Sequence, residues 1–318
     1  MRWEDFRRSD NVEDDRDGGG GFGGGFPGGG GFGFPVGGGG GLGIGTIVVL
    51  GILGWAFGID PSILIGGAEI LTGGNGQSRY EQPYQQPDQR RSTRQVPTDK
   101  SGQFVAAVVG NTEDTWKEIF AQNGRQYKPP RVVLFLNQVQ SACGMASSAT
   151  GPFYCPNDQR IYLDTSFFRE IEQRFHGCSG KACEFAQAYV IAHEVGHHVQ
   201  KSTGILDNAH RLQQAAGGRS AQANRIQVRV EMQADCYAGG WAKQSNTKSN
   251  FLDPGDIEAA LQTAAAIGDD RLQKQMRGTV VPDSFTHGTS AQRQRWFKQG
   301  FDQGKVSACD TFAQGAQL

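Results

Sequence analysis

The segment His193-Glu194-Val195-Gly196-His197 spaces two histidines so that they can bind one metal ion. The residues before it, Phe185-Ala-Gln-Ala-Tyr-Val-Ile-Ala192, are typical of a buried helix. On a helix, residues i and i+4 lie on one face, so both imidazoles can reach a single Zn²⁺. Glu194 is rotated to the side of that face, where its carboxylate can take a proton from a metal-bound water. The pattern predicts a catalytic zinc site with Glu194 as general base.

A third ligand is expected on a second helix, where Glu231 and Asp235 also stand at i and i+4. Glu231 would complete a His₂Glu site and leave one position open for water. Asp235 would accept the second ring N–H of a zinc-bound histidine, most simply His193, and so fix its tautomer. Asp207 and His210 remain alternative third ligands, because they lie on the segment that connects the two helices.

A further catalytic group is predicted near the end of the chain, in Thr286-His-Gly-Thr-Ser-Ala-Gln-Arg293. His287 or Arg293 could point back into the cleft and stabilise the oxyanion of a tetrahedral intermediate. The alternative is that Ser290 caps the last helix and His287 only packs against its neighbours.

The helices and strands that must position these residues are predicted from the spacing of apolar residues and from helix-capping residues. Residues 131–137 predict a strand, and residues 151–155 and 160–164 predict a hairpin. Asn111 and Gly124 bound an expected helix at residues 111–123. Helices then dominate, at about 166–175, 183–202, 206–215, 221–244, 254–275 and 290–300. A small sheet followed by a run of helices indicates an α+β fold.

The N-terminal third has a different composition. Residues 1–17 are strongly charged, and nineteen of the next 28 residues are Gly, which predicts a disordered N-terminus over residues 1–41. Residues 42–59 carry no charge and are just long enough for one membrane span, so residues 42–65 are interpreted as an anchor. A buried helix of the folded domain is the alternative. Residues 66–100 are expected to be a flexible linker, and residues 101–318 the catalytic domain.

All six cysteines fall in that last domain, which favours disulfides over a structural zinc site. Six cysteines allow fifteen pairings, and closeness along the chain favours Cys143–Cys155 and Cys178–Cys183, leaving Cys236 with Cys309. Together with the Arg residues before the span, the cysteines predict a single-pass inner (cytoplasmic) membrane protein. Its catalytic domain would lie on the periplasmic or extracytoplasmic side.

The sequence resembles the bacterial family of predicted neutral zinc metallopeptidases over nearly its whole length. The resemblance rests on the His193–His198 helix, the Glu231-x-x-x-Asp235 helix, the Gly151-Pro-Phe-Tyr-Cys-Pro156 segment, the Thr286–Arg293 segment and the opening Met1-Arg-Trp. It implies a zincin-like fold, with His193, His197 and Glu231 as zinc ligands and Glu194 as the catalytic residue. The motif order is also distantly similar to that of the CaaX-type membrane metalloproteases, although their multi-pass membrane core is absent here.

Two functions follow as hypotheses. The first is a membrane-anchored zinc endopeptidase that acts on peptide or protein substrates. The second is a non-catalytic, zinc-stabilised domain that is tethered to the membrane and holds a partner. Nucleic acid is excluded as a partner because the net charge is −1, without the surplus of Lys and Arg that phosphate contacts need.

Overall fold

The computed structural model describes residues 1–17, 96–173 and 178–318. These residues form an α+β structure that is mostly helical, as the sequence predicted. The helices are α1 Lys100–Gln122, α2 Phe167–Gln173, α3 Ala182–Ser202, α4 Ile205–Ala215, α5 Ala221–Ser249, α6 Asp256–Ala266, α7 Asp269–Arg277 and α8 Ser290–Gln303. The strands are β1 Val12–Asp14, β2 Arg131–Phe135, β3 Gln138–Ser141, β4 Gly144–Ser147, β5 Phe153–Cys155 and β6 Arg160–Asp164.

Helix α3 lies at the centre of the helical part of the fold. Nearly all its residues from Phe185 to Gln200 are buried, because α1, α4, α5 and α6 pack around it. Large aromatic side chains fill the space around it, with Phe185 stacked on Trp241 of α5 and both rings in contact with Phe251. A buried helix of this kind holds its side chains in fixed directions, which suits a site that needs exact geometry.

Helix α8 packs on α5 at a very short distance. A Cβ on Gly239 would lie 2.0 Å from the carbonyl oxygen of Phe297, and a Cβ on Gly300 would lie 1.9 Å from that of Cys236. Only glycine fits such backbone contacts. The two helices are therefore fixed against each other, and residues at the start of α8 reach the middle of α5.

The main sheet has four strands in the order β1-β2-β6-β5. Strands β1, β2 and β6 run parallel, whereas β5 is antiparallel to β6, as in the hairpin expected from the sequence. Strands β3 and β4 form a separate two-stranded hairpin that the sequence did not predict. Strand β5 also contacts α3, so the sheet lies beside the central helix.

Residues 1–17 belong to this fold, although the sequence placed them in a disordered N-terminus. Val12 of β1 pairs with Val132 of β2, so the segment adds an edge strand to the sheet. Trp3 is buried against Phe104 of α1, with ring centroids 5.4 Å apart. Charge alone suggested disorder, but the apolar side chains spaced among the charges bury themselves on the domain. The remainder of the predicted disordered region, the anchor and most of the linker lie outside the described residues.

Two helices also differ from expectation. Helix α1 begins at Lys100, capped by the Asp99 side chain, rather than at residue 111. Asn111 lies inside it, where its side-chain oxygen accepts hydrogen bonds from Trp241 and Ser245 instead of capping a helix. The helix expected over residues 254–275 is two helices, α6 and α7, with Gly268 between them packed closely on Ser290.

The six cysteines form the three disulfides that closeness along the chain favoured. These are Cys143–Cys155, Cys178–Cys183 and Cys236–Cys309. The last bond joins α5 to the C-terminal segment. Every cysteine is thereby consumed, so none is left to ligate a structural zinc ion.

The predicted membrane localisation is wrong. No helix within the described ranges is both long enough and apolar enough to cross a membrane. The segment interpreted as the anchor, residues 42–65, lies outside the described residues.

Candidate metal centre

The candidate site forms where α3 and α5 approach each other. Gly196 of the His-Glu-x-x-His segment makes this possible, because a Cβ there would lie 3.1 Å from Cα and the carbonyl oxygen of Ala234. The close contact brings the face of α3 that carries His193 and His197 onto the face of α5 that carries Glu231. Helical spacing sets each face, and the glycine sets the distance between them.

Three ligand atoms converge at this crossing. Nε2 of His193 lies 3.2 Å from Oε2 of Glu231, and Nε2 of His197 lies 3.6 Å from the same oxygen. Among the described residues, this is the group of His, Cys, Asp and Glu side chains whose ligand atoms all lie within 4.8 Å of one another. Tetrahedral zinc with bonds of about 2.0–2.1 Å separates its ligand atoms by about 3.3–3.4 Å. The spacing and the donor types therefore fit zinc.

His193 is held through its other ring nitrogen. Nδ1 lies 2.8 Å from Oδ1 of Asp235, which also accepts a hydrogen bond of 2.6 Å from the hydroxyl of Tyr189. Arg293 of α8 donates to both Asp235 oxygens at 2.9 Å. Burial opposes ionisation of Asp235, but Arg293 and His193 outweigh it and bring its pKa to about 2. Asp235 is thus an anion that keeps a proton on Nδ1 of His193, so that loss of the other ring proton leaves the lone pair on Nε2, beside Glu231.

Arg293 therefore uses its guanidinium to bind Asp235. This contact differs from the predicted role, in which Arg293 would stabilise the oxyanion of a tetrahedral intermediate. Its guanidinium is buried and also donates to the Tyr189 hydroxyl at 3.2 Å. The sequence placed Arg293 near the cleft but did not indicate this partner, and it did not single out Tyr189. A signal was present, because Tyr189 stands four residues before His193 on the same helical face.

His197 is held differently, by an uncharged side chain. Its Nδ1 lies 2.9 Å from Oε1 of Gln200, which is completely buried. Gln200 stands three residues after His197 on α3, so the contact is local to one helix face. The sequence analysis did not identify Gln200 as part of the site.

Burial and neighbouring charges separate the two glutamates chemically. Burial raises the pKa of Glu194, and the nearby histidines only partly oppose this. Burial acts in the same direction on Glu231, but His197 and His193 outweigh it and hold the pKa of Glu231 well below its ordinary value. Glu231 is therefore an anion, as a carboxylate that binds a metal must be. Glu194 has the raised pKa that is typical of a group that exchanges protons.

His287 lies in the same cavity as these residues and is oriented by an aspartate. Its Nδ1 is 3.2 Å from Oδ1 of Asp269, while Oδ2 of Asp269 accepts the backbone N–H groups of Thr286, His287 and Gly288. Those three bonds fix the loop that carries the histidine. The cap of α8 is the Thr289 side chain rather than Ser290, so the expected alternative role of Ser290 does not hold.

The site opens into a cavity of about 710 Å³. One wall comes from the segment around β5, including Gly151 and Tyr154, and another from helices α4 and α7, including Leu272 and Met276. The walls expose more apolar than polar surface. A cavity of this size and character accommodates a peptide side chain and its flanking backbone.

The two alternative third ligands line this cavity but do not join the ligand group. Asp207 accepts a 2.6 Å hydrogen bond from Lys201, and Nε2 of His210 lies 2.8 Å from the amide nitrogen of Gln214. His198 points away from the ligands, with its Nε2 2.7 Å from the carbonyl oxygen of Lys128. The geometry thus singles out Glu231 from the three acidic or histidine candidates.

Comparison with known proteins agrees with this donor set. A family model described as "Putative neutral zinc metallopeptidase" matches residues 1–312. The chain belongs to this family. The uncharacterized protein YpfJ of Escherichia coli K12 is similar to this chain, 43% identical over 314 residues, which cover 98% of this chain and 99% of that protein. The uncharacterized protein Rv2575 of Mycobacterium tuberculosis H37Rv is 43% identical over 218 residues, 66% of this chain and 70% of its own.

No solved structure matches the chain. The family description supports a zinc peptidase at the level of class, with zinc as the metal and a peptide or protein as substrate. The two relatives are uncharacterized, so they add no substrate and no assigned residue.

Proposed function

We propose that this chain is a zinc-dependent endopeptidase of the zincin type. His193, His197 and Glu231 would hold the zinc ion, and Glu194 would act as general base. The observation that carries the proposal is the convergence of two Nε2 atoms and one carboxylate oxygen within 4.8 Å, at the base of a cavity. When bound, zinc would supply a Lewis acid that polarises the scissile carbonyl and lowers the pKa of a water molecule.

Residues of the chain would carry out the proton transfers and orient the reacting groups. Glu194 would take a proton from the attacking water and deliver it to the leaving amine, a role that its raised pKa favours. His287, held by Asp269 at Nδ1, would in its doubly protonated form donate a hydrogen bond from Nε2 to the carbonyl oxygen as negative charge develops there. Asp235 would keep His193 in the tautomer that presents Nε2 to the metal.

The edge of the sheet supports a peptide as substrate. Strand β5 pairs with β6 alone among the described strands, and residues 151–154 at its start line the cavity. An extended peptide that added to the other side of β5 would gain main-chain hydrogen bonds, as in other cases of strand addition. Its side chains would then face the apolar walls beside the metal centre.

A non-catalytic zinc-stabilised domain is the competing function. A structural zinc site is normally closed by four protein ligands. Within the described ranges the ligand group has three members, and all six cysteines are in disulfides. A site that exposes its fourth position to a large cavity favours catalysis.

Glu194→Gln tests the proposed chemistry. The variant should bind zinc as the wild type does but lose about 10²–10⁴-fold in the cleavage rate of an unfolded protein, because the general base is gone. Zinc content is measured by atomic emission and cleavage by gel electrophoresis. Glu184→Gln, on the same helix and outside the cavity, is the matched control and should behave like the wild type. Unchanged cleavage by Glu194→Gln would refute the mechanism.

A further inference from the structure

The contact between His197 and Gln200 continues into a chain of side-chain amides. The Gln200 amide nitrogen donates to the carbonyl oxygen of Val230 at 2.8 Å and to Oε1 of Gln233 at 3.0 Å. The Gln233 amide nitrogen then donates to the carbonyl oxygen of Cys309 at 3.0 Å. We refer to Gln200 and Gln233 as the amide relay. Both side chains are buried.

The two backbone carbonyls determine the direction of every bond in the relay. A carbonyl oxygen can only accept, so the oxygen of Cys309 requires the NH₂ group of Gln233, and the oxygen of Val230 requires the NH₂ group of Gln200. The Gln200 oxygen must then face His197. It accepts, so Nδ1 of His197 must carry a proton, and in the neutral imidazole that can bind a metal ion the lone pair is then on Nε2.

The relay also connects the two helices that carry the ligands. Gln200 belongs to α3 and contacts the backbone of α5 at Val230, the residue before Glu231. Gln233 follows Glu231 by two residues and reaches the C-terminal segment at Cys309, which the disulfide to Cys236 attaches to the same helix. The relay therefore fixes the His197 ring relative to Glu231 from a covalently anchored end.

We propose that Gln200 and Gln233 are positioning residues for the metal centre, which set the tautomer and orientation of His197. The proposal rests on the zinc site of the proposed function. It assigns to His197 an uncharged counterpart of the Asp235–Arg293 pair that holds His193. Losing such a partner of a metal ligand typically costs about 10–100-fold in metal affinity.

The test compares zinc affinity in full-length variants, by competition with a chromophoric chelator. Gln200→Leu removes the acceptor for the His197 Nδ1 proton and should weaken zinc binding about 10–100-fold. Gln200→Glu keeps an oxygen toward Nδ1, and in its protonated form can still donate one hydrogen bond, so it should recover most of that loss. Gln233→Leu should weaken binding less than Gln200→Leu, because Val230 still orients the Gln200 amide.

Gln244→Leu is the matched control for Gln233→Leu. Gln244 lies on the same helix and also donates its amide to a backbone carbonyl, that of Gly304 at 2.6 Å. It is 13 residues after Glu231, about 20 Å along the helix, so its loss should leave zinc affinity unchanged. The unfolding midpoint of each metal-free variant is measured in parallel.

A purely structural role would make zinc affinity follow the unfolding midpoint, with Gln200→Glu no better than Gln200→Leu. Either that result, or a zinc affinity of Gln200→Leu equal to that of the wild type, would overturn the proposal. If Gln233→Leu and Gln244→Leu bound zinc with equal affinity, Gln233 would not be a positioning residue. A wild-type chain that binds zinc but cleaves nothing would refute the proposed function and leave the relay in place. A wild-type chain that binds no zinc would refute both.

Discussion

The helical part that carries the metal centre and the sheet that carries β1 are held together in different ways. In the helices, buried charged and polar groups compensate one another around two ligand histidines, as Asp235 and Arg293 do. In the sheet, a segment from the start of the chain is attached by strand pairing and by a few buried side chains. The difference suggests that the first region sets metal affinity, rate and part of the stability, whereas the second contributes to stability alone.

The comparison is broken if a variant in the sheet region changes zinc affinity or the rate. The following predictions run from the largest expected effect to the smallest. The first three concern the metal centre, and the last concerns the attachment of residues 1–17.

Glu231→Ala should have the largest effect. It removes the anionic member of the ligand group and leaves two histidines, so zinc affinity should fall by more than the roughly 10–100-fold that loss of an outer partner costs. Equilibrium dialysis with zinc measures this. Glu258→Ala, on the exposed part of α6, is the control. Zinc binding that survives Glu231→Ala but not Asp207→Ala or His210→Ala would identify a different third ligand.

His287→Ala should slow catalysis without releasing zinc. Removing one donor to a developing oxyanion typically costs about 10²–10³-fold in kcat. Zinc affinity should stay at the wild-type value, because His287 is not in the ligand group. Steady-state cleavage of a fluorogenic peptide gives kcat, and chelator competition gives the affinity. A kcat equal to the wild-type value would mean that His287 only packs in the cavity wall.

The third prediction concerns pH and the metal-free protein. Burial would lower the pKa of His193, but the carboxylates of Asp235 and Glu231 outweigh it and raise the pKa to about 9. A group whose pKa is raised on folding stabilises the fold below its unfolded pKa of about 6.5 and loses that contribution as pH rises through 9. The free energy of unfolding of chelator-treated protein should therefore fall between pH 6.5 and 9, by at most about 3 kcal/mol.

Added zinc should reverse this fall in stability. Protons compete with the metal for His193, so the apparent affinity of the protein for zinc should rise from pH 6.5 to 9. Asp235→Asn removes the strongest influence that raises the pKa, so its stability should fall less between pH 6.5 and 9. Urea unfolding at several pH values measures both. An equal fall in Asp235→Asn would show that Asp235 does not set the charge of His193.

The two regions also differ in how far the sequence predicts them. His193, His197, Glu231 and Asp235 could be placed because i and i+4 positions on a helix share a face whatever the rest of the chain does. Gln200 and Asp269 were missed, because each is recognised only by the atoms it faces in the folded chain. Tyr189 was missed although its spacing from His193 was a signal.

The sheet was harder to predict because its pairings are not local. Strand β1 has three residues within a charged stretch and pairs with residues 120 positions away, as in Val12 with Val132. No periodicity within residues 1–17 indicates that partner. The hairpin of β5 and β6 was predicted, because both of its strands and its turn lie within one short segment.

Gly110→Ala tests the attachment of residues 1–17 and should have the smallest effect. A Cβ at this position of α1 would lie 2.2 Å from the carbonyl oxygen of Arg7, so helix and segment must move apart. Overpacking of this kind costs about 1–3 kcal/mol of unfolding free energy. Gly240→Ala is the control, because the nearest atom to its Cβ is 4.0 Å away and alanine favours a helix. Urea unfolding should show Gly110→Ala destabilised and Gly240→Ala not, with zinc affinity unchanged in both. Wild-type stability in Gly110→Ala would mean that the segment does not pack on α1, and a parallel loss of zinc would mean that the two regions are coupled.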